Sequence, residues 1–259
     1  MPFPKPFNLD GKVALITGAA KGLGEVFAEA MAEAGADLVL SDIDAVGLEG
    51  TQKKVKEIGR KGATFICDVT QEEEVKALME NAMATFGRLD ILFNNAGIAE
   101  EIPKLLHEYT TEEWDRILDV DLRGVFFCAR EGLKIMVGQG NGKVINIASV
   151  FGLAGSSGIF PVPAYNAAKG AVVNLTRELG LEYAPMGINV NAICPGFYRT
   201  DLGGGSDDPE FVQAVETFVP LGRMAEPEEL KGTAIYLASE ASDYMCGQVI
   251  VTDGGISAK

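Results

Sequence analysis

Tyr165 and Lys169 lie four residues apart in AYNAAKGAVVNLTREL, residues 164–179 of a 259-residue chain. The stretch is Ala-rich and repeats apolar residues at Ala168, Val172, Leu175 and Leu179, a spacing that predicts a helix. Side chains four apart on a helix share one face, about a turn apart. A free phenol titrates near ~10, too high for proton transfer at neutral pH. A Lys ammonium within about 4–6 Å favours the phenolate, each pKa unit being worth roughly 1.4 kcal/mol. The expected device is an acid/base pair in which Tyr165 exchanges the proton and Lys169 lowers its pKa. Such spacing is common on helices, so the pair takes its meaning from what surrounds it.

The glycines come first in the chain. Residues 12–17 (KVALIT) form a short apolar run that suits a strand buried on both faces. TGAAKGLG follows, with Gly18, Gly22 and Gly24, and then the amphipathic EVFAEAMAEAG. Glycines between a strand and a helix let the backbone approach a pyrophosphate, and the helix N-terminus adds free N–H groups and positive partial charge. The spacing is G-x-x-x-G-x-G, not the G-x-G-x-x-G of the longer dinucleotide fingerprint. Residues 37–41 (DLVLS) read as the second strand, leading into Asp42 and Ile43. An acid about twenty residues past the glycines can accept hydrogen bonds from the adenosine ribose hydroxyls. A carboxylate there also repels a 2′-phosphate, which favours NAD over NADP. Lys21 pulls the other way, but Asp42 would face that phosphate directly and weighs more.

The rest of the chain must position these groups. A helix at 45–58, a strand at 63–67 with Asp68 and Val69 at its end, and a helix at 71–86 continue the pattern, the last opened by a Thr70/Glu73 capping box. A strand at 90–93 then runs into NNAG, residues 94–97. Four alternations of strand and helix mean βαβ units and a parallel sheet with right-handed crossovers. A long helix is expected over 111–137, with Trp114, Ile117, Leu118, Leu122, Val125 and Phe126 as core or subunit contacts. A fifth strand, 143–148, ends at Ser149, and the apolar VFGLAGSSGIFPVP leads into the Tyr165 helix. A sixth strand at 188–193 is followed by CPGFYRT, a mobile GGGSDDP at 203–209, helices at 210–218 and 227–238, and a last strand at 249–251. Without a repeat, a low-complexity block or a linker, one domain is expected.

Composition narrows the function classes. A net charge of −15 disfavours nucleic acid or an anionic membrane as partner. The four cysteines, Cys67, Cys128, Cys194 and Cys246, are widely spaced, as expected of buried free thiols in a reducing compartment. His107 is the single histidine, so a Ser-His-Asp triad or a His-rich metal site lacks material, and no metal is expected. MPFPKPFNLDGK lacks the apolar core of a signal peptide, and no run is long enough to span a bilayer, so a cytoplasmic location is expected.

TGAAKGLG, Asp68–Val69, NNAG, Ser149, YNAAK and PGFYRT occur in that order at strand ends, and PLGRMAEPEEL through YMCGQVIVTDGG follows. Over residues 8–256 the set closely resembles the short-chain dehydrogenase/reductase family. The resemblance implies a Rossmann-type doubly wound α/β sheet of about seven strands, with a cofactor-binding half at about 8–140 and a catalytic half at about 141–259. It also implies a nicotinamide cofactor, hydride transfer to or from a carbinol or carbonyl carbon, and a homotetramer. By the same resemblance Tyr165 is the general acid/base. Lys169 lowers its pKa and binds the nicotinamide ribose, and Ser149 orients the substrate oxygen. Gly18 and the Gly22-Leu23-Gly24 turn hold the pyrophosphate, and Asp68 and Val69 flank adenine. Asn95, with Ala96 and Gly97, lies at the adenosine side. Pro195, Gly196, Tyr198 and Thr200 clasp the nicotinamide end.

Two departures from the family pattern bear on function. Asp121, twenty-eight residues before Ser149, stands where the family usually has an Asn that closes a proton relay through water. The family's residue is thought to hold that water by its main-chain carbonyl at a helix kink, so an Asp could keep the role, and some sugar-acid dehydrogenases of the family look similar here. The interval from Ser149 to Tyr165, sixteen residues, is also longer than usual. The added residues fall in SSGIFPVP, so Ile159, Phe160, Val162 and Pro163 become expected contacts for an apolar part of the substrate, and Phe151, just past Ser149, is a further expected substrate contact. The leading expectation is an NAD-dependent secondary alcohol dehydrogenase or ketone reductase acting on a small molecule. Sugar-acid dehydrogenase and 3-oxoacyl thioester reductase remain alternatives. The thioester ranks lower because residues 197–216 offer only Arg199 against several acids. A non-catalytic NAD-binding protein would be expected to lose Tyr165 or Lys169, and both are present.

Overall fold

The computed structural model describes residues 3–202 and 208–258. Short apolar runs form its strands: β1 (Val13–Thr17), β2 (Asp37–Asp42), β3 (Gly62–Ile66), β4 (Ile91–Asn94), β5 (Gly142–Ile147), β6 (Ile188–Pro195) and β7 (Val249–Thr252). Every residue of β1 and β4 is buried, as befits strands covered by helices on both faces. The helices are α1 (Gly22–Ala34), α2 (Ala45–Glu57), α3 (Glu72–Phe86), α4 (Thr111–Leu118), α5 (Val125–Gln139), α6 (Pro163–Tyr183), α7 (Pro209–Phe218) and α8 (Lys231–Ala238).

All seven strands are parallel, in the order β3-β2-β1-β4-β5-β6-β7. The order reverses between β1 and β4, which opens a crevice at the strands' carboxyl ends, where ligands bind in sheets of this kind. One face of the sheet packs α1 and α8, with Phe27 stacked on Phe93 at 5.1 Å between centroids. The other packs α3 and α5 through Leu78, Met79, Leu133 and Met136. Cys67, Cys128 and Cys194 are buried, Cys246 is partly so, and all four are free thiols. Among the described residues no helix is long and apolar enough to cross a membrane.

Two local expectations need correction. The helix expected over 111–137 is interrupted, because α4 passes into a π-helical segment, Asp119–Gly124, before α5 resumes. The Thr70/Glu73 capping box does not form. Thr70 Oγ1 donates instead to Asp68 Oδ1 at 2.8 Å, Glu73 pairs with Lys76, and α3 starts after Gln71 without a side-chain cap. Asp68, two residues back, competes successfully for the hydroxyl. A true capping box opens α4, at Thr110 and Glu113. The loop expected at 203–209 falls largely outside the described residues.

Candidate active site

The glycine turn is built so tightly that side chains do not fit. Gly18 and Gly22 have φ of 66° and 59°, a region that favours glycine. A Cβ on Gly24 would lie 1.9 Å from the Gly18 carbonyl oxygen, and one on Gly18 would lie 2.8 Å from Ala96 Cα. Asn95 fixes this shape from β4, donating from Nδ2 to the carbonyls of Thr17 (2.9 Å) and Gly18 (3.1 Å). The Thr17 hydroxyl accepts the N–H groups of Asn95 and Ala96, both at 3.1 Å. Asn95 is therefore engaged in building the turn. At the end of β2, Asp42 Oδ2 accepts the Ala20 N–H from that turn and Oδ1 accepts the Asp44 N–H, each at 3.0 Å. Ile43 is exposed beside it, and Lys21 lies 3.8 Å from exposed Asp201.

The turn opens directly into α1, whose first N–H groups have no side-chain cap, a donor set that would suit a pyrophosphate. Val69 is buried at the end of β3, with Asp68 half-buried before it. Thr200, past β6, approaches within 3.7 Å of a Cβ placed on Gly22. Pro195 is buried, and the backbone at Gly196 crosses Asp253 so closely that a Cβ would lie 2.7 Å from the Asp253 Cα. The Tyr198 hydroxyl turns towards β7 and donates to the Thr252 carbonyl at 3.3 Å.

The expected acid/base pair, Tyr165 and Lys169, sits where β4 and β5 end. Ser149 is buried, and its Oγ accepts the Phe151 N–H at 3.1 Å. Tyr165 and Lys169 share one face of α6, with Lys169 Nζ 5.5 Å from the Tyr165 ring centroid. Nζ donates to the Ile147 carbonyl at 3.1 Å and lies 3.1 Å from Asp121 Oδ2. The π-helical segment carries Asp121, wholly buried, with Oδ1 accepting the Ile98 N–H at 2.8 Å. Gly97 covers the pair, since a Cβ there would lie 3.2 Å from Nζ and 3.4 Å from Asp121 Oδ2. The structure therefore brings Ser149, Tyr165, Lys169 and Asp121 together against NNAG.

Lys169 acts on Tyr165 in the expected direction but does not set the net shift. Burial pushes the Tyr165 phenol up; Lys169 and a hydrogen bond with Ser149 pull it down, and Asp121 and Glu100 push it up again. The net direction is upward, because spacing along a helix does not reveal the desolvation that tertiary packing adds. Burial likewise raises Asp121 against the pull of Lys169. For Lys169, burial favours the neutral amine, yet the Asp121 carboxylate prevails and holds the ammonium above its ordinary range.

Glu100 is a member of the site that sequence reasoning missed. It is buried, and its Oε1 accepts the Tyr109 hydroxyl (2.8 Å) and the N–H groups of Ala164 (3.1 Å) and Tyr165 (3.0 Å). The signal available was the VP pair ahead of α6, which supplies no capping oxygen of its own.

Beside Tyr165 stands an aromatic wall. Phe197 meets Phe151 at 5.7 Å, Phe160 and Phe211 at 6.2 Å and Phe218 at 6.4 Å, all near-perpendicular. Phe160 also meets Phe151 at 6.0 Å, and all five rings pack with Tyr165, Val150 and Val162 in one apolar cluster. Phe151 and Phe160 thus lie where a substrate-facing surface was expected. Ile159 is half-buried and held by a backbone bond to Ser156 outside that cluster.

The chain is similar to known proteins over nearly its whole length. Residues 18–257 match the family model described as enoyl-(acyl carrier protein) reductase. The chain is 40% identical to the cis-4-hydroxycyclohexanecarboxylate dehydrogenase of Sinomonas cyclohexanicum over 95% of this chain and 97% of that protein. The crystal structure of a short-chain type dehydrogenase/reductase from Mycobacterium marinum superposes with a TM-score of 0.94 at 38% identity, covering 98% of both chains. A gluconate 5-dehydrogenase from Burkholderia cenocepacia, solved with NADP and tartrate, gives 0.92 at 35% identity, again over 98% of both. Overlaps this complete, at these identities, make the chain a member of the short-chain dehydrogenase/reductase family.

Proposed function

We propose that this oxidoreductase uses NAD to interconvert a neutral secondary alcohol and its ketone, with an apolar, ring-sized body next to the reacting carbon. The observation that carries the reading is the aromatic wall around Phe197, packed in one cluster with Tyr165. When bound, the nicotinamide supplies the hydride acceptor or donor. The chain's own groups do the rest. The Ser149 hydroxyl orients the substrate oxygen, and Tyr165 exchanges a proton with it. The Lys169 ammonium, kept protonated by Asp121, stabilises the phenolate. The glycine turn, the α1 N-terminus and Asp42 hold the cofactor, and the Asp42 carboxylate at the turn disfavours a 2′-phosphate.

A sugar-acid substrate is the second reading, supported by the likeness to gluconate 5-dehydrogenase. Arg199, the lone base of residues 197–216, is paired with Glu226 at 3.2 Å, which leaves a substrate carboxylate or a carrier phosphate poorly served. Phe126 and Val137 on α5 and Val251 on β7 are exposed apolar residues, which supports assembly as a homotetramer. The test is a screen of alicyclic alcohols, linear alcohols and sugar acids with each cofactor, followed by NADH absorbance. Higher kcat/KM on sugar acids would sink the substrate reading, and equal efficiency with NADP would sink the role of Asp42.

A further inference from the structure

Helix α6 begins with a defect. Its N-cap residue is Val162, which has no oxygen to offer, and its first residue is Pro163, so the first N–H groups needing an acceptor are those of Ala164 and Tyr165. Both donate to one atom, Oε1 of Glu100, from a residue 64 positions before Ala164. The Tyr109 hydroxyl donates to the same oxygen, and Oε2 is buried without a partner. An acid so fully enclosed is unusual outside paired sites, and here it faces the helix end that carries positive partial charge. The other titratable or charged groups around it are Tyr165 and Lys169 on α6, Asp121 on the π-helical segment, and Tyr109, whose ring has Lys104 Nζ 5.2 Å away. Of the two carboxylates, Asp121 pairs with the Lys169 ammonium, while Glu100 faces the α6 N–H groups.

The geometry points to Glu100 as a positioning residue for Tyr165: its carboxylate is the cap that α6 lacks, fixing the phenol's place and adding a second buried negative charge beside it. Glu100 holds the backbone of the residue whose side chain exchanges the proton. It acts through Tyr165, and the inference rests on the acid/base role assigned above. The direction of the electrostatic effect agrees, since Glu100 is among the groups that push the phenol upward.

The test compares wild type, Glu100→Gln, Glu100→Ala and Tyr165→Phe as full chains, following alcohol oxidation against pH. Glu100→Gln keeps an oxygen for the N–H groups and removes the charge. It is expected to fold and to move the acid limb of kcat/KM down by roughly half a unit to one unit, with cofactor KM unchanged. Glu100→Ala is expected to lower kcat about tenfold or more, with cofactor affinity unchanged, and Glu100→Gln to recover most of that loss. A Glu100→Gln profile superimposed on wild type overturns the inference, as does a Glu100→Ala loss that only tracks the folded fraction. If Glu100→Ala does not fold, the Glu100→Gln profile decides alone. Undiminished turnover by Tyr165→Phe would instead remove the acid/base assignment itself, so the two failures are distinct.

Discussion

Lys169 Nζ lies 3.1 Å from Asp121 Oδ2, and both side chains are sealed from solvent. Asp121 stands where the family resemblance leads one to expect an uncharged amide, so the ammonium is held here by an opposite charge. Asp121→Asn keeps an acceptor for the Ile98 N–H and removes that charge. With a negative neighbour gone, Tyr165 ionises more readily, so the acid limb of kcat/KM for oxidation is expected about one unit lower. Breaking a buried pair leaves Lys169 uncompensated, at a cost of about 3–5 kcal/mol. Lys169 is raised in the folded chain, so its stabilisation is full below its unfolded pKa near ~10.4 and fades as pH rises through the folded value. In Asp121→Asn that alkaline loss should begin earlier, which thermal melts across pH will show.

Tyr165→Phe removes the hydroxyl and little else from a buried position. Turnover is expected to fall by about 10²–10⁴, while cofactor titration followed by protein fluorescence stays within about twofold of wild type.

Gly24→Ala places a methyl group where the Gly18 carbonyl already sits, 1.9 Å from its oxygen. The turn must open, at roughly 1–3 kcal/mol of stability or more. The melting midpoint should then no longer rise when cofactor is added, whereas wild type gains stability in proportion to occupancy.

Phe197 is the hub of the aromatic wall, within 6.4 Å of four other rings. Phe197→Ala is expected to raise KM for alicyclic alcohols about tenfold, in line with about 1–3 kcal/mol for lost apolar contact, and to leave cofactor KM unchanged. Steady-state kinetics on cyclic and linear alcohols checks this.

The strands were legible because each is a short apolar run, and their parallel pairing because helices alternate with them, whereas their order in the sheet came from the structure. The glycine turn and the Tyr165–Lys169 face were legible because both depend on short-range spacing. The interruption at Asp119–Gly124 was not legible in apolar periodicity, which does not distinguish an i→i+4 ladder from a local i→i+5 widening; only the family resemblance implied a kink at Asp121. Capping signals misled at Thr70, where Asp68 took the hydroxyl, because several acceptors crowd one turn. Glu100 was invisible for a simpler reason: the α6 N–H groups it caps lie more than sixty residues away, and only the folded chain brings them together.

The segment from Asn95 to Glu100 touches the glycine turn, the π-helical carboxylate and the start of α6 in six residues. The middle contact, from the Ile98 amide to Asp121 Oδ1, makes that one N–H a spectroscopic window on the sealed centre. Its proton resonance should be displaced downfield, move as the carboxylate gains a proton, and exchange slowly with deuterium. A single backbone signal in an NMR spectrum would thus read the charge state of the catalytic interior without any substrate or label near Tyr165.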